Sequence, residues 1–184
     1  NHYINHMARR PTPEVIVRTI INKMFEIAGH NVVYDDIVGR QDAWFQEWTM
    51  TVEQNVMFPL QMFTQMTKAE IQKRTDYCLE RVNLEGSNLL MPSQCSGGMQ
   101  KRVGIARAIA MRPRYLFCDE PNSGLDPKTS IVIDNLIQDI TREFEITTVV
   151  ITHDMNSVME IGDQIVFIHE GKKCWSGDRH SIID

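Results

Sequence analysis

Beyond residue 110 the chain alternates short apolar runs with helix-periodic stretches. Tyr115-Leu116-Phe117-Cys118 is one continuous apolar run, and Thr147-Thr148-Val149-Val150-Ile151 is a second, β-branched one. Between them Ile133, Ile137, Ile140 and Phe144 recur at the spacing of a helix face. Runs buried on both faces and separated by a helix predict parallel strands joined by a helical crossover. Asp126-Pro127 supplies the N-cap and first-turn residues that start that helix. A third run, Ile165 to Ile168, turns through Glu170-Gly171 into Lys172-Lys173-Cys174-Trp175, the pattern of an antiparallel edge hairpin.

Upstream the pattern is helical. Thr51-Val52-Glu53-Gln54 and Thr67-Lys68-Ala69-Glu70 both match the capping box, a hydroxyl at the N-cap with a carboxyl or amide three residues later. On the second of these helices Ile71, Cys78, Leu79 and Val82 share a face, with Lys68, Lys73, Arg74 and Glu80 placed mostly elsewhere. Residues 50–95 therefore read as a small helical unit. Before residue 50, Val15, Ile16, Ile20 and Met24 also recur at helical spacing, with Thr12 as cap, Pro13 in the first turn and Gly29 as terminator. The aromatic stretch Trp44-Phe45-Gln46-Glu47-Trp48 and the acidic pair Asp35-Asp36 carry no chemical motif and read as core and solvated turn.

Composition narrows the class. The chain has 184 residues, 42% of them apolar, enough for one domain with a core and an appendage. No apolar run approaches the roughly 18 residues that span a bilayer, and the first residues lack the apolar stretch of a signal peptide, so a cytosolic location is expected. A formal charge of −5 without a basic tract gives no footprint for nucleic acid. Cys78, Cys95, Cys118 and Cys174 stand far apart, which argues against a zinc site or a disulfide framework and for buried thiols.

Candidate chemistry gathers between residues 96 and 154. Ser96-Gly97-Gly98-Met99-Gln100 opens a helix that continues through Val103, Ile105, Ala106 and Ala110. Serine is a good N-cap, and two glycines let backbone N–H groups approach an anion where the helix dipole also favours negative charge. The run Tyr115 to Cys118 ends in Asp119-Glu120, placing carboxylates where ligands bind in open α/β sheets. Asp119 is suited to Mg²⁺ through its water shell, and Glu120 to polarising an attacking water. Ser123-Gly124-Leu125-Asp126 follows, and the second run ends in Thr152-His153-Asp154, where a histidine can meet a γ-phosphate or orient the water. Alone, each of these has an ordinary structural explanation; their order and spacing point to nucleotide hydrolysis.

Together these residues resemble the ABC ATPase family. Ser96 to Gln100 is similar to its signature motif, Tyr115 to Asp119 with Glu120 to Walker B and the catalytic glutamate, Ser123 to Asp126 to the D-loop, and His153 to the switch histidine. More narrowly, Met50 to Leu60, Met91-Pro92-Ser93 and Gly97 to Arg102 resemble the ATPases of Mla-type lipid transporters. The resemblance implies an α/β, P-loop NTPase-like fold, with residues 50–184 as part of an ABC ATPase domain: a helical subdomain at 50–95 and the C-terminal half of the parallel-sheet core at 96–184. It implies ATP and Mg²⁺ as cofactors, Glu120 as base, Asp119 on Mg²⁺ through water and His153 on the γ-phosphate. Ser96, Gly97, Gly98, Met99, Gln100 and Asp126 would belong to the nucleotide interface. It also implies a second ATPase subunit, a membrane permease, an MCE lipid-binding protein and a peripheral place at the inner face of the cytoplasmic membrane.

The chain departs from the family in two respects. No Gly-x-x-x-x-Gly-Lys-Ser/Thr loop occurs in it, and Gly171-Lys172 lies in the hairpin without an earlier glycine at the needed spacing. Gln46 stands too near Met50-Thr51-Val52 for the family's Q-loop. The expectation is a truncated ATPase domain behind an unrelated helical head at 1–49. Two alternatives are a non-catalytic partner that offers its signature motif to another subunit and, less favoured, a DNA-repair type ATPase, for which neither a coiled-coil insertion nor a basic surface is present.

Overall fold

The computed structural model describes residues 50–182. The helix expected after Thr12, the stretch Trp44 to Trp48 and Gln46 lie outside the described residues. Helix α1 spans Val52–Phe63 and α2 spans Lys68–Arg81, and both start with complete capping boxes, Thr51 with Gln54 and Thr67 with Glu70. Each box satisfies two N–H groups that the first turn leaves unpaired. A 3₁₀ turn at Pro92–Gln94 leads into α3, Gly97–Ala110, with Ser96 as N-cap.

Strand β1, Tyr115–Asp119, pairs in parallel with β2, Thr147–Ile151, in the register Tyr115 to Thr147 through Asp119 to Ile151. The crossover between them is α4, Pro127–Glu143, capped by Asp126. After β2 come the short α5, Met155–Ile161, and an antiparallel pair, β3 at Ile165–His169 and β4 at Lys172–Gly177. Among the described residues this hairpin forms its own two-stranded sheet.

One core joins the helical unit to the first sheet. Val52, Val56 and Leu60 of α1, Cys78 and Leu79 of α2, and Ile105, Ala106 and Ile109 of α3 meet Leu116 and Cys118 of β1 and Ile133, Ile137 and Ile140 of α4. Each large side chain among these contributes about 1.5–3 kcal/mol through burial. Burial holds the Cys118 thiol up at about 12 and the Cys78 thiol at about 11, so both are inert fillers of the core.

Three expectations are corrected. Arg74 was placed off the apolar face of α2, but it is buried, and its guanidinium donates to the carbonyls of Ala110 at 3.0 Å and Ile109 at 2.6 Å. A cation at a helix C-terminus meets unpaired carbonyls and the negative end of the dipole, which is why a charge is retained here. Cys174 is exposed and Cys95 half-buried, unlike the buried thiols expected. The two parallel strands are not buried on both faces: Tyr115 and Thr147 are exposed, and Thr148 to Ile151 are half-buried.

Candidate functional site

The carboxyl ends of β1 and β2 present Asp119, Glu120 and His153 on one edge. Glu120 follows the last residue of β1 and takes a left-handed backbone, φ +47°. Such a conformation costs a non-glycine residue about 1–3 kcal/mol unless its surroundings hold it. Three hydrogen bonds do so. The Glu120 N–H donates to the Ile151 carbonyl at 2.8 Å, and the Glu120 carbonyl accepts from Ser123 N–H at 3.1 Å and from the Lys101 ammonium at 3.0 Å. The turn points the carboxylate toward the tip of β2, where its Oε1 lies 2.8 Å from His153 Nδ1.

The histidine is 84% exposed and the glutamate 34%. The hydrogen bond that the His153 ring donates to Glu120, reinforced by the negative charges of Glu120 and Asp154, raises the His153 pKa above its ordinary 6.5. The imidazolium form is thus favoured more than in a free histidine, and a cation at this place suits a γ-phosphate or a developing negative charge.

Asp119 is exposed at the strand end. No group of three or more candidate metal ligands exists among the described residues. A single exposed carboxylate nonetheless fits Mg²⁺, which is bound through one or two carboxylates together with water and substrate phosphates. That cation, when bound, would neutralise phosphate charge.

The start of α3 lies against the following turn. Ser96 Oγ accepts from the Met99 N–H at 3.2 Å, while the Gln100 amide reaches back to the carbonyls of Pro92 at 3.0 Å and Cys95 at 3.3 Å. Met99 packs on the core. A Cβ at Gly98 would stand 2.6 Å from Thr129 Cγ2, and one at Gly97 would stand 3.3 Å from Leu125 Cδ2. Gly97 therefore permits α3 to approach the Ser123 to Asp126 loop closely and Gly98 the first turn of α4, a packing reason beside any anion reason. Asp126 caps α4, accepting from the N–H groups of Lys128 and Thr129 at 3.1 Å each and from Thr129 Oγ1 at 2.5 Å. The Thr129 bonds hold its carboxyl below the usual range.

Two open clefts lie elsewhere, over α2, with Lys73 and Tyr77 in both linings; neither includes Glu120 or His153. Lys101 lies within the Gly97 to Arg102 run, but the sequence assigned it no part in the site; its bond to the Glu120 carbonyl spans 19 residues.

A family model described as ABC transporter matches residues 16–123. The chain belongs to the ABC transporter family of ATP-binding domains. The match begins inside 1–49, the stretch to which the sequence alone assigned no motif. Among curated relatives, the methionine import ATP-binding protein MetN of Desulfitobacterium hafniense is 44% identical over 132 residues, 72% of this chain and 38% of its own length. The MetN of Bacillus subtilis is 41% identical over 131 residues, 71% of this chain and again 38% of its own. The chain thus spans well under half the length of these relatives. Among solved structures, cbiO1 from Clostridium perfringens, part of the transporter complex cbiONQ, superposes at TM-score 0.68 with 31% identity, covering 73% of this chain and 53% of that one. The dimeric ATP-binding cassette MJ0796 with ADP and phosphate gives 0.64 and 34%, covering 72% and 58%. The fold is the α/β fold of ABC ATPase cassettes. The Mla-type expectation is corrected in one respect: these MetN relatives carry methionine-import names, and the MCE partner draws no support from them.

Proposed function

We propose that this ABC domain is the signature-bearing part of a transporter subunit that binds and hydrolyses ATP, with Glu120 as general base and His153 at the γ-phosphate. The observation that carries the reading is the 2.8 Å contact between Glu120 and His153 at the ends of adjacent parallel strands. A carboxylate there can take a proton from an attacking water while the imidazolium faces the phosphate that water attacks. Asp119 would hold Mg²⁺ through water, and Ser96, Gly97 and Gly98 would face the nucleotide of a second subunit. The pair stands open to solvent, whereas hydrolysis favours a site from which bulk water is excluded. Closure by a partner subunit, driving a membrane permease from the inner face of the membrane, fits that geometry.

For the cargo, similarity to MetN favours methionine import, since 41–44% identity runs over about 130 residues. The lipid reading rests on three short stretches, Met50 to Leu60, Met91 to Ser93 and Gly97 to Arg102. Removing the gene from its host decides between them. Loss of labelled methionine uptake supports import. Intact methionine uptake with disturbed phospholipid distribution supports lipid transport. Full ATPase activity of the Glu120→Gln subunit, purified with its phosphate-loop half, would overturn the catalytic assignment itself.

A further inference from the structure

Close in sequence to Glu120 and His153, Asn122 and Ser157 join Asp134 in a closed polar triangle. Asn122, two residues past Glu120, donates from Nδ2 to Asp134 Oδ1 at 2.8 Å and to Ser157 Oγ at 2.9 Å. Ser157, four residues past His153 in α5, donates to Asp134 Oδ2 at 2.8 Å. The three side chains come from three segments, and all are buried, at 8%, 3% and 2% exposure for Asn122, Asp134 and Ser157.

Stability alone is poorly served by this arrangement. Asp134 sits on the core face of α4 among Ile133, Leu136 and Ile137, where an apolar residue would pack without desolvating a charge. No basic side chain among the described residues pairs with it, and Asn122 Oδ1 has no partner among them either. Hydrogen bonds do provide what apolar contacts lack, a fixed distance and direction between the segments they join. Here they join the loop that carries Glu120 to the helix that follows His153, with α4 as the common support.

We propose that Asn122, Asp134 and Ser157 are positioning residues that set the separation of Glu120 and His153, holding the base and the phosphate-facing imidazole as one unit. The proposal rests on the reading of those two residues as the hydrolytic pair.

The test is made on the whole chain, with the imidazole nitrogen NMR shifts of His153 as the readout, because they report the Nδ1 hydrogen bond directly. Glu120→Gln sets the scale. Ser157→Ala and Asp134→Asn are expected to move the shifts most of the way to the Glu120→Gln values while unfolding stays cooperative. The exchanged pair Asn122→Asp with Asp134→Asn, which keeps a donor opposite an acceptor, is expected to restore them. If Asp134→Asn does not fold, the exchanged pair and Ser157→Ala still decide. Wild-type shifts in folded Ser157→Ala, or no restoration by the exchange, would overturn the proposal. A failure of Glu120→Gln itself to move His153 would remove the pair, and the network's role with it, and is distinguishable from a pair that ignores its supports.

Discussion

Lys101 Nζ donates to the backbone carbonyl of Glu120 at 3.0 Å, so the helix that begins with Ser96 is tied to the residue that leaves β1. The bond is partly buried and charge-assisted, the class whose loss costs about 1.5–3 kcal/mol at most. Lys101→Met is expected to lower unfolding free energy by about 1–2 kcal/mol in urea titrations. Lys101→Arg should fall between the two proteins. Wild-type stability of Lys101→Met would show that the bond contributes nothing.

Gly98→Ala should be the most damaging change in the signature run. The new methyl would land 2.6 Å from Thr129 Cγ2, a β-branched side chain held by Asp126 and unable to swing away. Overpacking of this kind costs about 1–3 kcal/mol. Thr129→Ser removes the opposing methyl and keeps the hydroxyl, so the double variant should regain most of the loss. A double variant no more stable than Gly98→Ala would place the strain elsewhere.

Arg74 offers a larger effect. Its guanidinium satisfies the Ile109 and Ala110 carbonyls and lies 5.1 Å from the Tyr77 ring centroid. Arg74→Met should destabilise by about 2–3 kcal/mol, because two buried acceptors at the end of α3 lose their donor. Thermal unfolding of the variant reads this directly.

The pH dependence of the Glu120–His153 contact has a definite sign. The folded-state pKa of His153 is raised, so the ionic pair is complete below about pH 6.5 and is lost as pH rises through the elevated midpoint. NMR titration should place that midpoint above 6.5, and added salt should lower it because the pair is exposed. A midpoint at or below the ordinary value would remove the ion pair.

The 184-residue polypeptide, taken alone, should show no rise in melting temperature with millimolar MgATP. Its sequence has no phosphate-cradling loop, and the remaining carboxylates Asp119 and Glu120 repel a triphosphate. An upward shift abolished by Asp119→Asn would reveal a phosphate site of another kind.

What the sequence made legible was whatever local chemistry dictates. Both capping boxes, the Ser96 and Asp126 caps, the crossover between β1 and β2 and the hairpin after Ile165 all formed where their residues required. Asp119, Glu120 and His153 were legible because strand ends are set by short-range pattern. Long-range choices were hidden. Arg74 looked like a surface cation because its partners, the Ile109 and Ala110 carbonyls, lie 35 and 36 residues away. Asp134 gave a faint signal, a carboxylate between core isoleucines, but its use depended on Asn122 and Ser157, which no periodicity brings together. The full burial expected of β1 and β2 failed at their first residues, Tyr115 and Thr147, which both stand exposed.

Helix α3 is a beam held along its length by α2. Arg74 grips its far end, and Arg102 reaches the carbonyls of Val82 at 3.3 Å and Asn83 at 2.9 Å, so α2 and α3 must turn together. On the other side the Lys101 ammonium fastens the beam to the Glu120 carbonyl, beside the core contacts of Ile105, Ala106 and Ile109. Its outlet, Met111 to Arg114, contains Arg112 at φ +51°, a short bent joint. Any torque applied to the helical unit would therefore reach Glu120 through the shared core and through the Lys101 bond together. Glu120 would register it in part as the arrival or departure of a single ammonium.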